Sequence, residues 1–254
     1  MKVTILGCGS STGVPRVGND WGDCDPGEPR NRRSRCSILV DSGSTRLLVD
    51  TAPDLRQQLL DTGTDDLDAV LYTHAHADQT HGIDDLRVLF LRKRARLPVY
   101  GDAETLAILR RRFDYIFERP PNSPYPPIAE THELDPAAPF RIGDIDGAAF
   151  AQEHGNITSL GLRFGAIGYS NDVNALDERA FEVLDGVRVW IVDALRYTPH
   201  PTHAHLDQAL EWIERLGPAR AVLTNMHIDM DYRTLRRTLP DGVEPAYDGM
   251  VIEA

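Results

Sequence analysis

Four apolar runs in this chain each place a metal-ligand type of residue just past their C-terminal end. Ala69-Val70-Leu71-Tyr72 leads to His74, and Ala148-Ala149-Phe150-Ala151 leads to His154. Gly168-Tyr169-Ser170-Asn171 ends at Asp172, and Ala221-Val222-Leu223-Thr224 precedes His227. Short apolar runs bounded by polar residues read as strands, and α/β proteins gather their chemistry outside the carboxyl ends of their strands. The pattern therefore demands a fold that brings distant strand ends to a common edge.

The first run opens a denser cluster, His74-x-His76-x-Asp78. Two histidines at i and i+2 on an extended or turning backbone can aim both rings at one ion, while the aspartate two residues later reaches a neighbouring ion. Neutral imidazole with carboxylate suits zinc, manganese or iron. A lone pair of this kind reads equally well as polar residues on a solvated loop. The later ligand-type residues tip the reading toward a metal site.

Strand-like runs alternate with turns over Val3–Leu6, Ser37–Val40 and Arg46–Val49, which implies an antiparallel sheet. Helical spacing follows over Asp54–Leu60, Asp84–Leu91 and Glu104–Phe113, with strands at Leu67–Leu71 and Leu97–Tyr100. The second half repeats this alternation, with strands near Ala148–Gln152, Leu160–Phe164 and Val187–Val192 and helices near Glu178–Leu184, Leu206–Leu216 and Tyr232–Thr238. The stretch Pro120–Pro127 is excluded from helix interior and reads as a connector. No linker divides the 254 residues, so a single domain over 1–254 is expected. Periodicity alone yields a mixed α and β class.

Charge and cysteine usage narrow the partners. A formal net charge of −12 opposes a broad hold on polyanions, so no stable nucleic-acid complex is expected, while a small anionic substrate remains compatible. Arg30, Arg32, Arg33 and Arg35 form the basic cluster best placed to guard a site mouth. Three cysteines, Cys8, Cys24 and Cys36, without close spacing fit a reducing compartment better than a disulfide framework. The opening Met1–Leu6 enters a strand pattern at once, and no apolar run approaches the ~20 residues of a membrane span. The expectation is a cytoplasmic protein without a membrane partner.

The constellation resembles the metallo-β-lactamase superfamily, in its phosphodiesterase branch. Gly7-Cys8-Gly9-Ser10-Ser11-Thr12-Gly13, Asp193-Ala194-Leu195-Arg196 with Pro201-Thr202-His203, and Thr224-Asn225-Met226-His227 carry the branch resemblance. It implies an α/β fold, the four-layer αβ/βα sandwich of the metallo-β-lactamase type, with one or two divalent ions, manganese or zinc or else iron. It further implies His74, His76 and His154 on a first ion, Asp78 and His227 on a second, and Asp172 bridging them. Asp50 would orient a ligand histidine from behind. His203 would protonate the leaving group, with His205 as its rival, and Asp78 would join it in catalysis. The implied function is hydrolysis of a small cyclic or nucleotide-like phosphodiester by a metal-held hydroxide. Homodimers are common in the family.

Two departures qualify the resemblance. The family motif normally continues His-x-His-x-Asp-His, whereas position 79 is Gln79, and an amide oxygen is a weaker ligand than imidazole. His81 is the nearest substitute. The loop Trp21–Pro26 holds one cysteine where a relative binds structural zinc through several, so no structural zinc is expected. Gln79 also keeps a different reading in view, a metal-containing protein that binds a nucleotide or sugar phosphate with little turnover.

Overall fold

The computed structural model describes residues 1–253, whose strands fall into two seven-stranded sheets. The first takes β1 (Lys2–Gly7), β2 (Ser37–Asp41), β3 (Arg46–Val49), β4 (Ala69–Leu71), β5 (Leu97–Gly101) and β6 (Ala129–Glu133). The second takes β7 (Pro139–Ile142), β8 (Ile145–His154), β9 (Ile157–Phe164), β10 (Ile167–Ser170), β11 (Val189–Asp193), β12 (Arg220–Thr224) and β13 (Val243–Pro245). The last strand, β14 (Val251–Glu253), returns to pair with β1. Both sheets begin antiparallel and end parallel: β1 to β3 alternate and β3 to β6 run together, then β7 to β10 alternate and β10 to β13 run together.

Parallel neighbours need crossovers, and helices supply them. The first sheet carries α1 (Leu55–Asp61), α2 (Ala77–Thr80), α3 (Leu86–Lys93), α4 (Ala103–Arg112) and α5 (Asp114–Phe117); the second carries α6 (Glu178–Leu184), α7 (Leu206–Leu216) and α8 (Tyr232–Thr238). Asp102, Asp177 and Asp231 start α4, α6 and α8 by accepting the backbone N–H three residues on.

Strand residues divide by parity, as successive side chains must point to opposite faces. Val3, Ile5, Ile38, Val40, Leu47, Val49, Ala69 and Leu71 face the second sheet and join a core with Phe150, Leu162, Tyr169 and Ile191. Leu6, Leu39, Leu48 and Val70 face outward onto Leu55, Leu59, Leu86, Leu106 and Leu109 of the helices. With both faces covered, the strands read as continuous apolar runs rather than alternating ones. The result is the expected αβ/βα sandwich.

Most elements match the sequence reading to within a few residues. Four strands were not anticipated: β6, β7, β13 and β14 are the edge strands of the two sheets, and β6 reads Ala-Glu-Thr-His-Glu, with no apolar run to signal it. The stretch 120–127 forms an exposed connection between α5 and β6. Among the described residues no helix is long and apolar enough to cross a membrane.

Candidate metal centre

Parallel strands of one sheet end on the same side, so β10, β11 and β12 bring Asp172, Asp193 and Asn225 together, while β3 and β4 bring Asp50 and His74 to the facing edge. Asp50, Asp172 and Asn225 all adopt positive φ, at 63°, 52° and 61°. Aspartate and asparagine tolerate this left-handed turn better than other side chains with a Cβ. Backbone strain of this kind clusters at functional sites. Each turn ends its strand abruptly and keeps a polar side chain in the cleft.

His74, His76 and His154 converge from the two sheets, with ring centroids 4.7, 5.1 and 5.0 Å apart. One ring nitrogen from each lies within 4.8 Å of the others. His74 Nδ1 donates to Thr73 Oγ1 at 3.1 Å, and Thr73 gives its hydroxyl and its backbone N–H to Asp50, both at 2.8 Å. That relay leaves His74 Nε2 bare, and this buried atom has no hydrogen-bond partner. His154 Nδ1 donates to the Thr202 carbonyl at 2.7 Å, which frees its Nε2 to face His76 Nδ1 at 3.2 Å. Gly155 makes room for the Thr202 contact, for its φ is positive and a Cβ there would meet Thr202 Cγ2 at 2.5 Å.

Three tests favour a divalent ion on this triad. Two nitrogens on a tetrahedral zinc with bonds of 2.0–2.1 Å stand ~3.3 Å apart, close to the spacing of His76 and His154. Burial pushes the His74 ring well below its ordinary value, lowers His76 and holds His154 down to about 4, so all three stay neutral and ligand-competent near pH 7. The cleft also buries the carboxyl groups of Asp50, Asp172 and Asp193 almost completely, a collection that calls for a compensating cation.

Beside the triad stands a second pair. His203 Nδ1 lies 2.9 Å from Asp193 Oδ2 and 3.6 Å from Asp172 Oδ1, and its ring centroid is 4.7 Å from that of His154. Burial pulls the His203 pKa down, but the Asp193 charge and hydrogen bond outweigh it and raise the value to about 9. Burial, reinforced by Asp78, pushes the Asp172 carboxyl well above the carboxylate range. Asp78 lies in the first turn of α2 and acts by charge on His76, Asp172 and His203.

The structure thus gathers His74, His76, His154, Asp172 and His203, with Asp78 close by. His227 is not a member of either ligand cluster, although its charge reaches His200 beside His203: its ring contacts the Arg16 guanidinium on one side and Asp229 Oδ1 on the other, at 3.1 Å. His81 is exposed, donates to the Ala77 carbonyl at 3.0 Å and packs edge-on to Phe113, so it does not replace the missing histidine. His205 precedes α7 as its N-cap residue. The basic cluster does not guard the mouth as free charge. Arg33 is buried and tied to Met230 and His227 carbonyls, Arg35 pairs with Asp54, and Arg30 and Arg32 lie over aromatic rings.

Sequence reasoning missed Asp193 and Asn225 as members of the site. Asp193 ends Val189-Trp190-Ile191-Val192, so the strand-end criterion used for the other ligands would have found it. Asn225, whose Nδ2 lies within 3.4 Å of Asp172, Asp193 and His203, carries no charge to flag it. A cavity of about 310 Å³ opens from His74 and His76 toward Glu104, Ile108, Arg112 and Ile157.

Residues 45–228 match the Beta-lactamase superfamily domain. The fold superposes on the crystal structure of a new diphosphatase from the PhnP family with a TM-score of 0.92 and 33% identity, covering 100% of this chain and 97% of that one. An octanoyltransferase of Porphyromonas gingivalis is 34% identical over 98% of this chain and 51% of its own length. A ribonuclease Z of Bradyrhizobium sp. is 31% identical over 54% of this chain and 46% of its own. The chain spans about half the length of the curated relatives it matches. Family match, fold and histidine triad agree, and the chain belongs to the metallo-β-lactamase superfamily, in the phosphodiesterase branch that includes the PhnP family.

Proposed function

We propose that this protein is a metal-dependent hydrolase of a small phosphodiester or diphosphate, such as a cyclic or nucleotide-like phosphate. The observation that carries the reading is the His203–Asp193 pair, an imidazole hydrogen-bonded to a buried aspartate and set 4.7 Å from the ring of a triad histidine. His74, His76 and His154 would hold the ion, zinc, manganese or iron by their donor set. A divalent ion there supplies Lewis acidity, making a water more acidic and drawing charge from phosphoryl oxygens.

The chain's own groups do the rest. Asp193 accepts the Nδ1 proton of His203 and so turns Nε2–H toward the cleft, where it can pass a proton to the departing oxygen. Asn225 stands between Asp193, Asp172 and the His203 ring and restricts their movement. Asp78, whose charge reaches His76, Asp172 and His203, would orient the attacking water. The cavity beside the triad has an apolar wall at Ile108, Ile157 and Leu160 with Arg112 at its rim, which suits a ring-bearing anion.

Turnover of bis(p-nitrophenyl) phosphate, cyclic nucleotides and ribose cyclic phosphates with added manganese, zinc or iron tests the proposal. Metal-stimulated release of product supports it. Nucleotide binding without turnover under any metal would favour instead the binding protein that Gln79 keeps in view. The octanoyltransferase name belongs to a relative about twice as long, and burial raises the thiol pKa of Cys8, Cys24 and Cys36, which does not suit an acyl-carrying nucleophile.

A further inference from the structure

Asp172 is poorly placed to share itself between two ions. Its Oδ2 accepts an N–H from Gln79 at 2.9 Å and another from Asn171 at 2.5 Å. A carboxylate oxygen offers about two lone-pair directions, so that atom is filled. Only Oδ1 is turned to the triad, 3.9 Å from His154 Nε2. Bridging would require Gln79 to let go, yet Gln79 is fully buried and has no solvent to turn into. Reversing its amide would set oxygen against carboxylate. Its Oε1 is left without a partner, a weak neutral donor where the family places an imidazole.

The other expected ligand of a second ion is also engaged. His227 Nδ1 lies 3.1 Å from Asp229 Oδ1, an arrangement that places the proton on Nδ1 and the free lone pair on Nε2. The Arg16 guanidinium meets that same Nε2. Arg16 is held over it by a backbone pairing with Asp20 and by a long ion pair to the Asp20 carboxylate, 3.8 Å. Its Nη1 meets nothing nearer than that ion pair and the side chain is partly exposed, so the fork keeps donors to give.

We propose that the centre takes a single divalent ion, on His74, His76 and His154 with Asp172 Oδ1, and that the guanidinium of Arg16 stands in for the second cation by receiving substrate phosphate oxygens. This rests on the metal-dependent hydrolase reading above. A guanidinium matches a phosphate through paired N–H donors. It also excludes a second metal by claiming the His227 lone pair. Gln79 and Arg16 then form one device: the amide closes the Asp172 side and the guanidinium closes the His227 side.

Metal content of zinc- or manganese-saturated, desalted protein measures the first half, and calorimetric titration of inorganic phosphate into the loaded protein measures the second. Wild type is expected to hold one equivalent, and the Gln79→His, Arg16→Ala double variant two. Phosphate affinity of the one-metal protein should fall about tenfold or more in Arg16→Ala, with Arg16→Lys intermediate because it keeps charge without the fork. Two tight equivalents in wild type would overturn the inference and leave the hydrolase reading standing. No equivalent would overturn both. One equivalent with phosphate affinity unchanged in Arg16→Ala and Arg16→Lys would overturn the role of the guanidinium.

Discussion

Gly155→Ala separates the fold's stability from its grip on metal. Gly155 has φ 64°, and a left-handed residue with a Cβ costs ~1–2 kcal/mol. The new Cβ would also stand 2.5 Å from Thr202 Cγ2 and 3.2 Å from Thr202 Cβ, so Thr202 must move. Together these predict a loss of roughly 2–3 kcal/mol. For a chain of this size that lowers Tm by about 5–10 °C. The same shift carries away the Thr202 carbonyl that accepts the His154 Nδ1 proton at 2.7 Å. Losing a partner that orients a ligand histidine weakens metal binding ~10–100-fold. Competition with a chromogenic chelator reads the affinity, and thermal unfolding reads the stability. Thr202→Ala added to Gly155→Ala removes the methyl but keeps the carbonyl, so it should restore most of the affinity and only part of the Tm. An unchanged zinc affinity in Gly155→Ala, alongside the fall in Tm, would refute the claim that Thr202 sets the His154 ring.

His203→Ala should lower turnover by ~100-fold with metal content intact; loss of metal along with activity would refute its role as proton donor. Since His203 is raised to about 9 and gives its proton only while charged, the alkaline limb of kcat should fall near that pH and move lower in Asp193→Asn. A limb that stays in place belongs to another group. Asp248, buried and accepting from Ser34 and Cys8, has a pKa raised from 3.8 to about 6, so the folded chain binds the extra proton between those values and stability falls as pH rises through them. Urea unfolding at pH 4.5 and pH 7 should show that fall reduced by ~2 kcal/mol in Asp248→Asn, and an equal fall in both proteins would contradict it. Adding zinc to metal-free protein at about 100 times Kd should stabilise it by ~2.7 kcal/mol, an effect absent from His74→Ala if the triad is the binding site.

The triad was legible because its residues sit at ends of buried strands, where an apolar run stops and a ligand-type side chain begins. Asp172 was legible for the same reason, and Asp193 could have been. The fate of His227 was not, because the lone pair of one imidazole is decided by Arg16, a residue far off in the chain that only tertiary folding brings over it. Gln79 announced itself as a departure, but its N–H bond to Asp172 depends on a rotamer fixed by burial. The central strands and the helices followed from apolar spacing, while β6 and β14 are held by neighbours that pair with them rather than by their own composition. Charge clusters misled for a related reason. Arg33 reads as surface charge by type, yet it is buried because three backbone and side-chain oxygens, from His227, Asn31 and Met230, converge on its head.

The triad draws two of its rings from the loop after β4 and the third from the end of β8, and the Leu160 N–H reaches across to the Thr73 carbonyl at the same seam. An ion seated on those rings therefore works as a rivet between the halves of the sandwich. Stripping it should loosen the join rather than either half, so amide exchange would quicken first at residues 73–76 and at the turn between β8 and β9, while the middles of β3 and β11 stay protected.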